Sequence, residues 1–86
     1  MLELNYTLLD PANNQTALDT INDFLLNFTN HEYRTEIFND KVMVFVYGLS
    51  CAYDAMQLIN SIDVILDTLQ FGFTLDFIHY SENTKK

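Results

Sequence analysis

Lys41-Val42-Met43-Val44-Phe45-Val46-Tyr47-Gly48 reads as a strand covered on both faces. The six residues Val42 to Tyr47 are all apolar, rich in β-branched and aromatic types, and Asn39-Asp40 just before them is a turn signal. Side chains of that shape fit a pleated surface with packing above and below. An interior strand needs neighbours, and the preceding segment offers one. Tyr33–Phe38 alternates in character and carries Arg34 and Glu36. The spans 32–38 and 41–48 are therefore expected to form an antiparallel hairpin whose outer edge is guarded by charge.

Working outward, Leu2, Leu4, Tyr6 and Leu8 alternate with Glu3, Asn5 and Thr7, the period of a half-buried strand. Asp10-Pro11 follows, an acceptor at the cap position and then a residue whose missing N–H costs nothing there. The period then changes. Leu18, Ile21, Leu25 and Phe28, flanked by Ala17 and Phe24, form a helical stripe within 12–29, while Asp19, Asn22, Asp23 and Asn27 fall on the other side. Past Gly48, Ser50 is the expected cap of a second helix over 51–70. Its stripe is Ala52, Ala55, Ile59, Ile62, Leu66 and Leu69, widened by Met56, Leu58 and Ile65. Gly72 ends it, and Phe73–Tyr80 alternates as a last strand, with Phe73, Leu75 and Phe77 on one side and Thr74, Asp76 and Ile78 on the other. Residues 1–82 form one domain in this reading, and 83–86 a frayed tail.

The element order is β-α-β-β-α-β. It implies a ferredoxin-like α+β fold: a four-stranded antiparallel sheet, strands one and three in the middle, both helices on one face. Such a sheet leaves its other face open. The alternation places Met43, Phe45 and Tyr47 together on one side of the central strand, which marks them as candidates for a sheet-face interface, a homodimer for instance.

Charge is the second strong signal. Twelve Asp and Glu stand against four Lys and Arg, a net charge of −8, and two of those bases are Lys85 and Lys86. Residues 1–84 hold all twelve acids against Arg34 and Lys41 alone, a balance of −10. Such a surface repels phosphate backbones and anionic lipid, and attracts basic proteins. Asp19 and Asp23 are four residues apart, as are Asp63 and Asp67, and neither helical span contains Lys or Arg. Like charges at that spacing repel by a few tenths of a kcal/mol, roughly, a cost that interspersed Lys would remove. Asp19, Asp23, Asp63 and Asp67, extended by Asp54, are thus the candidate partner-binding residues.

No catalytic constellation is legible. Cys51 has no motif linking it to His31 or His79, the two glycines make no phosphate loop, and the acids lack calcium-loop spacing. The expectation is a protein without catalytic residues, cofactor or metal. One cysteine, no basic-then-apolar leader and no apolar run of bilayer length point to the cytoplasm.

Two resemblances bear on function. RNA-recognition motifs share this topology, and Lys41, Phe45 and Val46 resemble the basic and Phe-Val positions of their third strand. Val42, Met43 and Val44 depart from that pattern, Glu3 stands where a stacking aromatic belongs, and the charge opposes RNA. In length, acidity and lack of catalytic residues the chain resembles the inhibitors of phages and mobile elements, anti-CRISPR proteins and DNA mimics among them. That resemblance implies a basic, nucleic-acid-handling protein as partner, blocked by occlusion and with no direct contact to nucleic acid or membrane. A structural or regulatory dimer, or an immunity protein for a nuclease toxin, are the alternatives.

Overall fold

A computed structural model describes residues 1–28 and 31–81; the tail expected at 83–86 lies outside them. The strands are β1 (Leu2–Leu8), β2 (Tyr33–Phe38), β3 (Lys41–Val46) and β4 (Phe73–Tyr80), and the helices are α1 (Asn14–Phe28) and α2 (Ala52–Thr68). The strands form one sheet in the order β2-β3-β1-β4, antiparallel at every pairing, so the architecture is α+β with β1 and β3 inside. No helix among the described residues is long and apolar enough to cross a membrane.

Period-two patterning builds the core. Leu2, Leu4, Tyr6 and Leu8 of β1 are buried beside Val42, Val44 and Val46 of β3. Across from them lie Ala17, Ile21 and Leu25 of α1 and Ala55, Leu58, Ile62 and Leu66 of α2. Both helices therefore cover the same face. Each buried Leu or Ile contributes roughly 1.5–3 kcal/mol relative to an exposed one, so this single layer carries most of the fold's stability.

Local chemistry fixes the connections. The Asp10 carboxylate accepts from the Ala12 N–H at 3.0 Å, and Pro11 opens a short 3-10 turn that runs into α1. Asn39 and Asp40 both adopt positive φ, 53° and 60°, as a two-residue hairpin turn requires of its central pair. Buried Asn14 donates from Nδ2 to the Asp40 carbonyl at 3.1 Å, tying the start of α1 to that turn.

Three sequence expectations are corrected. Cys51, not Ser50, occupies the N-cap of α2, without a side-chain hydrogen bond, and Ala52 is exposed. The helix closes before Gly72, because Gln70 takes the left-handed conformation at φ 61°. The Gln70 N–H then bonds to the Asp67 carbonyl at 2.9 Å and the Phe71 N–H to the Leu66 carbonyl at 3.2 Å. In β4 the register with β1 slips by one residue: Asn5 faces Phe77 while Tyr6 faces Leu75, leaving Asp76 as a bulge. The slip reverses the alternation beyond it. Ile78 falls opposite Leu4 on the helix side and Phe77 opposite Asn5 on the open side, the reverse of the sequence reading.

Candidate functional site

The two outer surfaces of this fold differ in chemistry. The helical layer holds the five aspartates named from sequence. On α1 the buried residues are Asn14, Ala17, Ile21 and Leu25. At 3.6 residues per turn, Asp19 and Asp23 project from the opposite side, and both are exposed. Asp19 accepts a hydrogen bond from Gln15 Nε2 at 2.9 Å. On α2, Asp54 lies in the first turn, where the helix dipole favours a carboxylate. Asp67 lies near the other end, where the dipole disfavours it, and no base in the last turn relieves that cost.

Asp63 is different. It sits half-buried on the flank of α2, accepting a hydrogen bond from the Tyr6 hydroxyl at 3.3 Å. Desolvation raises its pKa, the Asp67 charge adds to the rise, and the Tyr6 hydrogen bond partly offsets it. Burial, with Asp63 beside it, pushes the Tyr6 hydroxyl far above its ordinary range. Asp63 thus faces the sheet, and the outward carboxylates are Asp19, Asp23, Asp54 and Asp67.

The open side of the sheet holds the counter-charges. Arg34 and Lys41 are the only Lys or Arg side chains among the described residues. Lys41 Nζ lies 2.8 Å from Asp76 Oδ2 and 2.8 Å from Thr7 Oγ1, and Thr7 also donates to Asp76. The Lys41 hydrogen bond, then that of Thr7, holds the Asp76 carboxyl below its ordinary pKa. Arg34 approaches Glu36 at 3.7 Å and lays its guanidinium 4.5 Å from the centre of the Phe45 ring. Phe45, on the uncovered side, is consequently only 8% exposed. Met43 beside it is half-buried; Tyr47 lies past the end of β3, half-buried, its N–H bonded to the Glu32 carbonyl at 2.8 Å. The structure thus puts Met43 and Phe45 on the open face, with Phe45 already occupied by Arg34.

Exposed apolar groups on the helical layer are what sequence reasoning missed. Tyr53 is 68% exposed and Met56 and Val64 each 61%, along α2. Phe28 of α1 is 48% exposed and Leu26 68%. The available signal was a second stripe, Tyr53, Gln57, Asn60 and Val64, at helical spacing opposite the buried one.

Between the helices run two open clefts. One of about 540 Å³ is bounded by Phe28, His31, Leu49, Tyr53, Asp54 and Gln57. The other, of about 440 Å³, is bounded by Phe24, Gln57, Asn60, Ser61, Val64 and Ile65. They meet at Gln57. Among the described residues no group of three or more His, Cys, Asp or Glu is placed to hold a metal ion. No protein-family model matches this chain, nor does any curated protein or solved structure.

Proposed function

We propose that this protein is a small acidic binding protein that occludes the cationic surface of a nucleic-acid-handling protein, an inhibitor of the phage or mobile-element kind. One observation carries the reading: among the described residues the outward carboxylates of α1 and α2 form no ion pair with Lys or Arg, while Arg34 and Lys41 are engaged with Glu36 and Asp76 on the opposite face. A surface kept anionic at the cost of i,i+4 repulsion gains from a partner that supplies the missing cations. Asp19, Asp23, Asp54 and Asp67 would stand where that partner otherwise holds phosphates. The mode of action is steric and electrostatic, with no chemistry by this chain. An immunity protein for a nuclease toxin would use the same surface in the same way.

We read the arrangement as ferredoxin-like, supported by the β-α-β-β-α-β order with β1 and β3 inside the sheet. The free Cys51 supports a reducing compartment. A sheet-face homodimer through Met43, Phe45 and Tyr47 draws less support, because Phe45, the central one of the three, is covered within its own chain.

Capture of partners from a lysate of the source cell tests the proposal. A basic nucleic-acid-binding protein should be retained, released as salt rises from ~0.05 to ~0.5 M, and displaced by added DNA or RNA. Recovery of nothing but further copies of this chain would sink it, as would a partner indifferent to both salt and nucleic acid.

A further inference from the structure

We infer that the furrow between α1 and α2 is the seat of the specific contact, and that it receives the apolar edge of a cationic amphipathic helix from the partner. The inference rests on the proposed function for the sign of the charge, and adds where the partner docks and in what form.

The two clefts follow one another along α2, with Gln57 bordering both. Phe24 and Phe28 form one wall, their rings stacked with centres 4.8 Å apart and 26° between planes. Tyr53, Val64 and Ile65 form the other. Tyr53 to Val64 spans roughly 16 Å at 1.5 Å per residue, the length of about three turns of a docked helix. Exposed aromatic and aliphatic groups lining a groove are suited to apolar anchors.

Charge selects the occupant. Asp54 borders the furrow, Asp19 and Asp23 crown the outer side of α1, and neither helix contributes a base. A neutral or acidic amphipathic helix would leave Asp54 uncompensated or repelled, whereas Lys or Arg flanking its apolar edge would meet the Asp54 carboxylate and the negative field of Asp19 and Asp23 beyond it. Backbone chemistry selects the form. Along Phe24, Gln57, Asn60 and Val64 both walls are helix interior, whose N–H and C=O groups pair within their own helix, so an extended peptide there would bury its own polar backbone without partners. A helix satisfies itself, and its ridges match residues one turn apart such as Tyr53, Gln57, Asn60 and Val64.

The test titrates the full-length isotope-labelled protein by NMR with three probes. They are a 20-residue Lys/Leu peptide with Leu at helical three-and-four spacing, a scrambled peptide of the same composition, and oligolysine of equal charge. The expected result is at least tenfold tighter binding of the amphipathic peptide, with shifts centred on Phe24, Phe28, Tyr53, Val64 and Ile65. Val64→Asn and Tyr53→Ser, both exposed and so compatible with folding, should each erase most of that preference. Equal binding by all three probes would overturn the furrow while leaving an anionic docking surface standing, as would a preference that survives both substitutions. Failure of even oligolysine to bind at low salt would overturn the proposed function itself, and the furrow with it.

Discussion

The helical layer and the open face of the sheet are both solvent-facing, yet only the sheet face neutralises itself. There, Lys41 is held between Asp76 and Thr7, and Arg34 lies over Phe45 beside Glu36. On the helical layer, Asp19 and Asp23 project without a cationic partner among the described residues, and Tyr53, Met56, Phe28 and Val64 of the same layer are left in water. The contrast teaches that the charge of the whole chain is a poor guide to its chemistry. A solubilising surface would be acidic throughout. Exposed apolar groups occur on both sides, Phe38 and Phe77 on the sheet among them, so charge is what separates the faces: paired on the sheet, unpaired on the helical layer among the described residues, as expected of a surface completed by a cationic partner.

The contrast can be broken most forcefully at Phe45. Because that ring is buried, Phe45→Ala should cost about 3 kcal/mol in urea denaturation, whereas Tyr53→Ser and Val64→Asn should stay within about 0.5 kcal/mol of the parent. Comparable losses at all three would erase the distinction between the faces. Next in size, Asp19→Lys with Asp23→Lys should weaken binding to a basic partner roughly tenfold or more, about 1.4 kcal/mol, while stability holds or rises slightly as the i,i+4 repulsion disappears. Smaller again, Arg34→Ala should lose about 0.5–1 kcal/mol with the cation–π contact and expose the Phe45 ring, without altering that binding.

The finest test uses acid. Asp76 has a lowered pKa, so its ionised form adds stability that is present above about pH 4 and lost as pH falls through its folded value. Asp76→Asn should therefore destabilise at neutral pH, with the gap closing in acid. Asp63 has a raised pKa, so ionising it costs stability as pH rises. Asp63→Asn keeps an acceptor for the Tyr6 hydroxyl and should stabilise slightly at neutral pH, that gain also vanishing in acid. Melting curves at several pH values read the two opposite signs, and a shared sign would contradict the assignment of the two carboxylates to different surroundings.

Much of this was legible in the sequence because burial here follows simple periods. Leu2 to Leu8 alternate without exception, Val42 to Val46 form the unbroken apolar run of an inner strand, and Asn39-Asp40 announces its own turn. The β4 bulge was not legible, since Phe73–Tyr80 mixes apolar and polar residues evenly enough to fit either register, and only pairing with β1 decides. Met56 was assigned inward because it extends an apolar stripe, although the tighter set of Ala55, Leu58, Ile62 and Leu66 already fills the contact. Of the site, the unrelieved acidity of both helices could be read directly. That Asp63 turns to Tyr6, and that Lys41 finds Asp76, depends on contacts between residues 57 and 35 positions apart, which no local pattern encodes.

On this reading the helical layer, and not the sheet, receives a cationic partner. The most direct test is calorimetric titration against the basic partner recovered from the source cell, as ionic strength rises from ~0.05 to ~0.5 M. Three proteins are compared: the parent, Asp19→Lys/Asp23→Lys, and Arg34→Gln. The parent's affinity should fall steeply with salt and Arg34→Gln should follow it, while the double substitution should be weak from the lowest salt onward. Coincidence of the double substitution with the parent, or loss of binding in Arg34→Gln alone, would contradict the account.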